Sequence, residues 1–117
     1  MKIKLKRIYD ESAKADGVRI LVDRLWPRGV SKEKANLDHW LKEIGPTDEL
    51  RKSFHEDERS FKQFKEKYLK ELQSGEQKEA LDELKKIADD TKQITLLFAA
   101  KNKEENQAVI LKEKLED

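Results

Sequence analysis

Cysteine is absent from the chain, which excludes a disulfide framework, a thiolate zinc site and a thiol nucleophile together. Proline occurs twice and glycine four times. The glycines are scattered, so none builds a Walker loop, a Gly-x-Gly-x-x-Gly cradle or a Gly-x-Ser-x-Gly elbow, and a classical nucleotide or dinucleotide site is not expected. No apolar run approaches the roughly 20 residues of a membrane span. The opening Met1-Lys-Ile-Lys-Leu-Lys6 lacks the continuous apolar stretch of a secretory signal. These absences set the expectation of a cytoplasmic protein with no membrane partner.

The 117 residues are 36% apolar and 44% charged. That apolar content is enough for one lean core and too little for two, so a single domain over residues 1–117 is expected. The apolar residues fall in periodic clusters, as a folded chain requires. Net charge is only +1, yet residues 1–40 hold ten Lys/Arg against six Asp/Glu, and residues 41–117 hold sixteen against nineteen. This mild asymmetry suits a site for a small anion better than a broad nucleic-acid face.

Lys2-Ile-Lys-Leu-Lys6 alternates charged and apolar residues with period two, predicting a half-buried strand from Lys2 to about Tyr9. A polar stretch closing on Asp16-Gly17 leads to a second strand over Val18-Arg-Ile-Leu-Val22. Ile94-Thr-Leu-Leu-Phe-Ala-Ala100, the most continuous apolar run, reads as a central strand covered on both faces. Helical spacing links Phe61, Phe64, Tyr68 and Leu72, then Leu81, Leu84 and Ala88, and finally Ala108, Leu111 and Leu115. Thr47 is the expected cap of a helix opening with Asp48 and Glu49, Ser74-Gly75 is expected to end the long helix, and a shorter helix is expected after Ser31, carrying Trp40. The fold class that follows is α/β: a short, largely parallel sheet of about three strands flanked by helices.

Ligands of such sheets bind beyond the carboxyl ends of the strands. Three segments would converge there: Tyr9-Asp10, Asp23 to Gly29, and Lys101-Asn102. Asp23 and Arg24 point to opposite faces of an extended chain, so each needs its own partner. Trp26-Pro27 reads as a rigid wall. Arg24 and Arg28 could present guanidinium forks to a phosphate or carboxylate, or could instead pair with Asp16, Asp23 or Asp38. Arg51 and His55 share a helix face beside Leu50 and Phe54, and His55 is the best acid/base candidate by residue type. His39 has weaker claims, and the two histidines have no metal-site spacing around them. Tyr68 reads as core. Asn106 could hold a ligand or cap the last helix.

The stretches Arg7-Ile-Tyr-Asp10, Val22-Asp-Arg-Leu-Trp-Pro-Arg-Gly29, Trp40-Leu-Lys-Glu-Ile-Gly-Pro46, Leu50-Arg51, Phe54-His55 and Asn106-Gln-Ala-Val-Ile-Leu111 together resemble the YeaO-like family of uncharacterised bacterial proteins, the domain of unknown function 488. The resemblance spans nearly the whole chain. It implies a small cytoplasmic α/β domain and marks Asp23, Arg24, Trp26, Arg28, Arg51 and His55 as family-motif positions without assigning them roles. Where relatives often carry histidine, this chain has Glu56 and Gln107, which weakens a metal site. No glycine-rich loop follows the first strand to hold a methyl donor.

The leading expectation is a domain that binds, or also transforms, a small anionic ligand. Tyr9, Arg24, Trp26, Arg28, Arg51, Lys101 and Asn106 would serve binding, Asp23 and His55 proton transfer, and no cofactor or metal is expected. A nucleic-acid-associated protein using the same arginines and tryptophans is a second reading, and a protein-interaction module is a third. Whether the protein is an enzyme, and its oligomeric state, stay open at this level.

Overall fold

The computed structural model describes residues 2–56 and 60–117. Four strands, β1 (Lys2–Arg7), β2 (Val18–Leu21), β3 (His39–Trp40) and β4 (Gln93–Phe98), form one sheet in the order β1-β4-β2-β3, and every pairing is parallel. The helices are α1 (Lys32–Ala35), α2 (Asp48–Glu56), α3 (Phe61–Glu71), α4 (Gly75–Asp89) and α5 (Gln107–Glu116). This is the expected α/β class, with one more strand than about three.

The extra strand corrects the reading of the segment after Ser31. The Ser31 hydroxyl accepts from the Lys34 N–H and opens a single turn, but Asn36 then adopts the left-handed conformation with φ 47° and closes it. The chain turns outward, Asp38 accepts the Arg19 N–H at 2.8 Å, and His39 and Trp40 pair with Ile20 and Leu21. Trp40 therefore lies on a sheet edge, not on a helix.

Alternation along the strands divides the core between the two faces of the sheet. Ile20, Val22, Ile94, Leu96 and Phe98 face the larger cluster, shared with Leu50 of α2, Phe64, Tyr68 and Leu72 of the α3 region, Leu81, Leu84 and Ala88 of α4, and Ala108, Ile110 and Leu111 of α5. Leu21 and Leu97 face a smaller cluster with Ile8, Val30 and Ala35. The helical stripes read from spacing are thus the buried ones.

Helix starts follow capping chemistry. Thr47 Oγ1 accepts from the Leu50 N–H at 3.2 Å, Ser60 and Gln63 form a reciprocal capping box, and Asn106 caps α5 by accepting from the Val109 N–H at 3.1 Å. The long helix stops at Glu71, and Ser74-Gly75 opens α4 instead of merely closing α3.

The smaller face also holds a buried ionic group. The Asp16 carboxylate receives Arg19 Nη1 at 2.5 Å, Lys6 Nζ at 3.2 Å and the Ala13 N–H at 2.9 Å. Burial alone pushes Asp16 up, but these donors outweigh it and hold the carboxyl below its ordinary value. Gly17 follows with φ 66°, and a Cβ there would lie 2.4 Å from the Gln93 carbonyl oxygen. Only glycine lets this loop approach the start of β4 so closely.

Candidate functional site

Because all four strands are parallel, their carboxyl ends lie on one side of the molecule, and the loops that follow them enclose a cavity of about 790 Å³. Of the nine residues singled out from sequence, eight line it: Tyr9 after β1, Asp23, Arg24, Trp26 and Arg28 after β2, Arg51 from α2, Lys101 after β4 and Asn106 at the start of α5. The side chain of His55 lies outside the described residues. His39 is exposed on β3, away from the cavity lining.

Two arginines hold the walls through backbone carbonyls. Arg24 Nε donates to the Gly45 oxygen at 3.1 Å and the Pro46 oxygen at 2.8 Å. Its Nη groups have no partner among the described residues. Arg7, at the end of β1, donates from Nε to Ala100 O at 3.0 Å and from Nη2 to Ala99 O at 3.1 Å. The segment bearing Gly45 is fixed from further sides: the Tyr68 hydroxyl donates to Ile44 O at 2.5 Å, Gln77 Nε2 to Gly45 O at 3.0 Å, and Glu71 accepts both the Thr47 N–H and its hydroxyl, at 3.1 and 2.6 Å. Neither Arg24 nor Arg28 forms an ion pair with Asp16, Asp23 or Asp38 among the described residues.

Trp26 joins wall and core. It packs against the smaller cluster, donates Nε1–H to Val30 O at 2.7 Å and meets Trp40 edge to face with centroids 5.3 Å apart. Trp40 in turn donates to the Asp23 carbonyl at 2.7 Å. Between Trp26 and Val30 the chain turns through Gly29, φ 77°, where positive φ is required. The Tyr9 hydroxyl donates to the Arg28 carbonyl at 3.1 Å, which ties the first loop to the second and leaves the exposed Arg28 guanidinium without a partner among the described residues. Among the described residues, the ion pair of Arg51 is an exposed one with Asp48 at 3.5 Å.

Asp23 is the most perturbed acid of the site. Its Oδ2 accepts the Ala99 N–H at 2.9 Å, and its Oδ1 accepts Nε2–H of Gln107. Burial raises its carboxyl to about 6, with the Ala99 and Gln107 hydrogen bonds and the Arg51 charge partly offsetting that rise. A carboxyl poised there can hold or release a proton near neutrality. Asn106 lines the cavity but its amide is spent: Oδ1 caps α5 and Nδ2 donates to Asn102 O at 2.8 Å.

Sequence reasoning missed several contributors. Gln107 was visible only as a departure from histidine, although its place one residue after the α5 cap sets it beside the end of β4. Phe54, Phe64 and Pro46 supply apolar wall, and the first two were legible only as stripe residues. Arg7 and Gln77 act through carbonyls distant in sequence, for which no local signal exists. Among the described residues, no group of three His, Cys, Asp or Glu side chains is placed to hold a metal ion, and no helix is long and apolar enough to cross a membrane.

Comparison with known proteins assigns the family. The model of the inactive DUF488-N3 subclade matches residues 2–117. The chain is 49% identical over 113 residues to the uncharacterised protein YeaO of Escherichia coli (strain K12), covering 95% of this chain and 94% of that one. It is 35% identical over 86 residues to the uncharacterised proteins Mb3100c of Mycobacterium bovis and Rv3073c of Mycobacterium tuberculosis, covering 74% of this chain and 70% of each. No solved structure gives a significant match. The motif from Val22 to Gly29, which builds one wall of the cavity and carries its partly buried acid, thus sits in a chain that belongs to the YeaO-like proteins of the DUF488 family.

Proposed function

We propose that this protein is a binding domain for a small anionic ligand, phosphate- or carboxylate-bearing, held at the carboxyl ends of the strands. One observation carries the reading. Arg24, Arg28, Arg51 and Lys101 line a single cavity in which, among the described residues, Asp23 and Glu105 are the acidic ones, and the guanidinium of Arg28 and the ammonium of Lys101 have no ion-pair partner among the described residues. Cations gathered around one cavity, of which Arg51 alone has an ion pair among the described residues, suit an anion that enters it. The volume of about 790 Å³ falls in the range of small-molecule sites, roughly 300–1,000 Å³. Trp26, Pro46, Phe54 and Phe64 offer apolar surface to the rest of the ligand. The description of the subclade as inactive favours binding without turnover, with Asp23 and His55 as the residues to alter first if turnover is found.

A thermal-shift titration tests the reading, because a ligand that binds only the native state raises its apparent stability. Inorganic phosphate, simple carboxylates and nucleotides are each added to wild type, Arg28→Ala and Arg51→Ala. Stabilisation of wild type, diminished in both variants and little changed by salt, is the expected result. Stabilisation by single-stranded oligonucleotides alone, lost steeply as salt rises, would instead place phosphate-backbone contacts at these arginines and overturn the proposal.

A further inference from the structure

Among the cationic side chains that line the cavity sits a carboxylate, Asp23, that an anion does not use. Asp23 receives one hydrogen bond on each oxygen, from the Ala99 N–H and from Gln107, both neutral donors, and no Lys, Arg or His among the described residues pairs with it. A carboxylate has about four acceptor positions, so two remain. Gln107 gives an N–H to Asp23, while its own carbonyl oxygen has no donor among the described residues. Both side chains line the cavity. Arg24 Nε donates instead to the Gly45 and Pro46 carbonyls. A simple anion would gather at the arginines and offer no donor to this partly buried carboxylate, which the Arg51 charge compensates only in part.

We propose that the ligand of this site joins its anionic group to an N–H donor, an ammonium or a ring or amide N–H, which seats on Asp23 and the Gln107 carbonyl while the anion lies among the arginines. The inference rests on the anion-site reading above. It makes the site selective for amphoteric molecules, since a compound lacking the N–H leaves the acceptors unpaired.

The test is a calorimetric comparison of matched pairs differing in the N–H group: L-glutamate with glutarate, L-phenylalanine with phenylpropionate, and pyrrole-2-carboxylate with furan-2-carboxylate. The first two pairs probe an ammonium and the third a ring N–H. Wild type should bind the N–H-bearing member of at least one pair about ten-fold or more tightly than its counterpart. In Asp23→Asn that preference should fall below about three-fold, with affinity for the counterpart kept or increased. Gln107→Leu, which leaves the Ala99 contact in place, should reduce the preference as well and serves if Asp23→Asn fails to fold. Equal binding of both members by wild type, or a preference that survives both substitutions, overturns the inference while leaving the anion site standing. If neither the counterparts nor inorganic phosphate bind wild type, the anion site itself fails, and this inference with it.

Discussion

Arg24 Nε lies 2.8 Å from the carbonyl oxygen of Pro46, so the side chain that sequence marks as an anion clamp is also a strut of the cavity wall. The first prediction follows. Arg24→Ala should cost about 2 kcal/mol, the typical worth of charge-assisted hydrogen bonds to partly buried carbonyls, and Arg24→Lys should recover little of it because an ammonium has no donor at the Nε position. Arg28→Ala, which removes an exposed side chain with no partner among the described residues, and Arg51→Ala, which removes an exposed ion pair with Asp48, should each stay within about 0.5 kcal/mol of wild type. Urea denaturation of the four variants checks this. It also shows why ligand loss in an Arg24 variant cannot by itself be read as loss of a contact.

Asp23 should make the protein less stable as pH rises. Its carboxyl sits at about 6 against an ordinary 3.8, so the folded state binds this proton more tightly than the unfolded one. The resulting stability is complete below about pH 4 and is lost as pH climbs through 6. Asp23→Asn removes this dependence and should be more stable than wild type at pH 8 by about 2 kcal/mol. Denaturation midpoints of both proteins between about pH 3 and 8, taken as a difference, span both titrations and give the answer. A parallel pair of curves would refute it.

Asp16 carries the opposite sign. Held below its ordinary value by donors that outweigh its burial, it contributes stability above the normal carboxylate range that disappears as pH falls through its lower folded value. Arg19→Ala leaves a buried carboxylate short of its shortest ion pair and frees the Ala35 and Asn36 carbonyls. The expected loss is about 3–5 kcal/mol, read from the urea midpoint at pH 7. A loss under about 1 kcal/mol would mean that Lys4 and Lys6, whose Nζ atoms lie 3.7 and 3.2 Å from Asp16 Oδ1, suffice as partners.

Gly17→Ala should destabilise by about 2 kcal/mol or more, since the added Cβ meets the Gln93 carbonyl and the residue must keep a positive φ. Gly29→Ala, where nothing lies within 4 Å, bears only the conformational cost and should lose less. Comparing the two midpoints separates close approach from backbone preference.

The parts of this molecule that sequence revealed are those with a local period or a local terminus. β1, β2 and β4 announce themselves by alternation or by an unbroken apolar run, and the helices between β2 and β4 then favour parallel order. That order placed Tyr9, Asp23, Arg28 and Lys101 at one end before any coordinates. β3 has only two residues and no pattern to detect, and what makes it a strand is the edge of β2 and the Arg19–Asp38 bond. Arg24 could be recognised as a site residue but not as a strut, because its acceptors lie more than twenty residues away and are backbone atoms, which carry no sequence signature. Gln107 illustrates the same limit: its partner is a carboxylate 84 positions earlier.

The wall formed by residues 44–46 has a kinetic consequence. Its carbonyls are claimed by Arg24, Tyr68 and Gln77, three side chains from separate stretches of the chain, so no local encounter can nucleate it and it must consolidate after the sheet and helices have met. Contacts that form after the folding barrier leave the folding rate almost unchanged and act on the rate of unfolding. A ligand lodged against this wall is therefore expected to lengthen the life of the folded protein without helping it to fold.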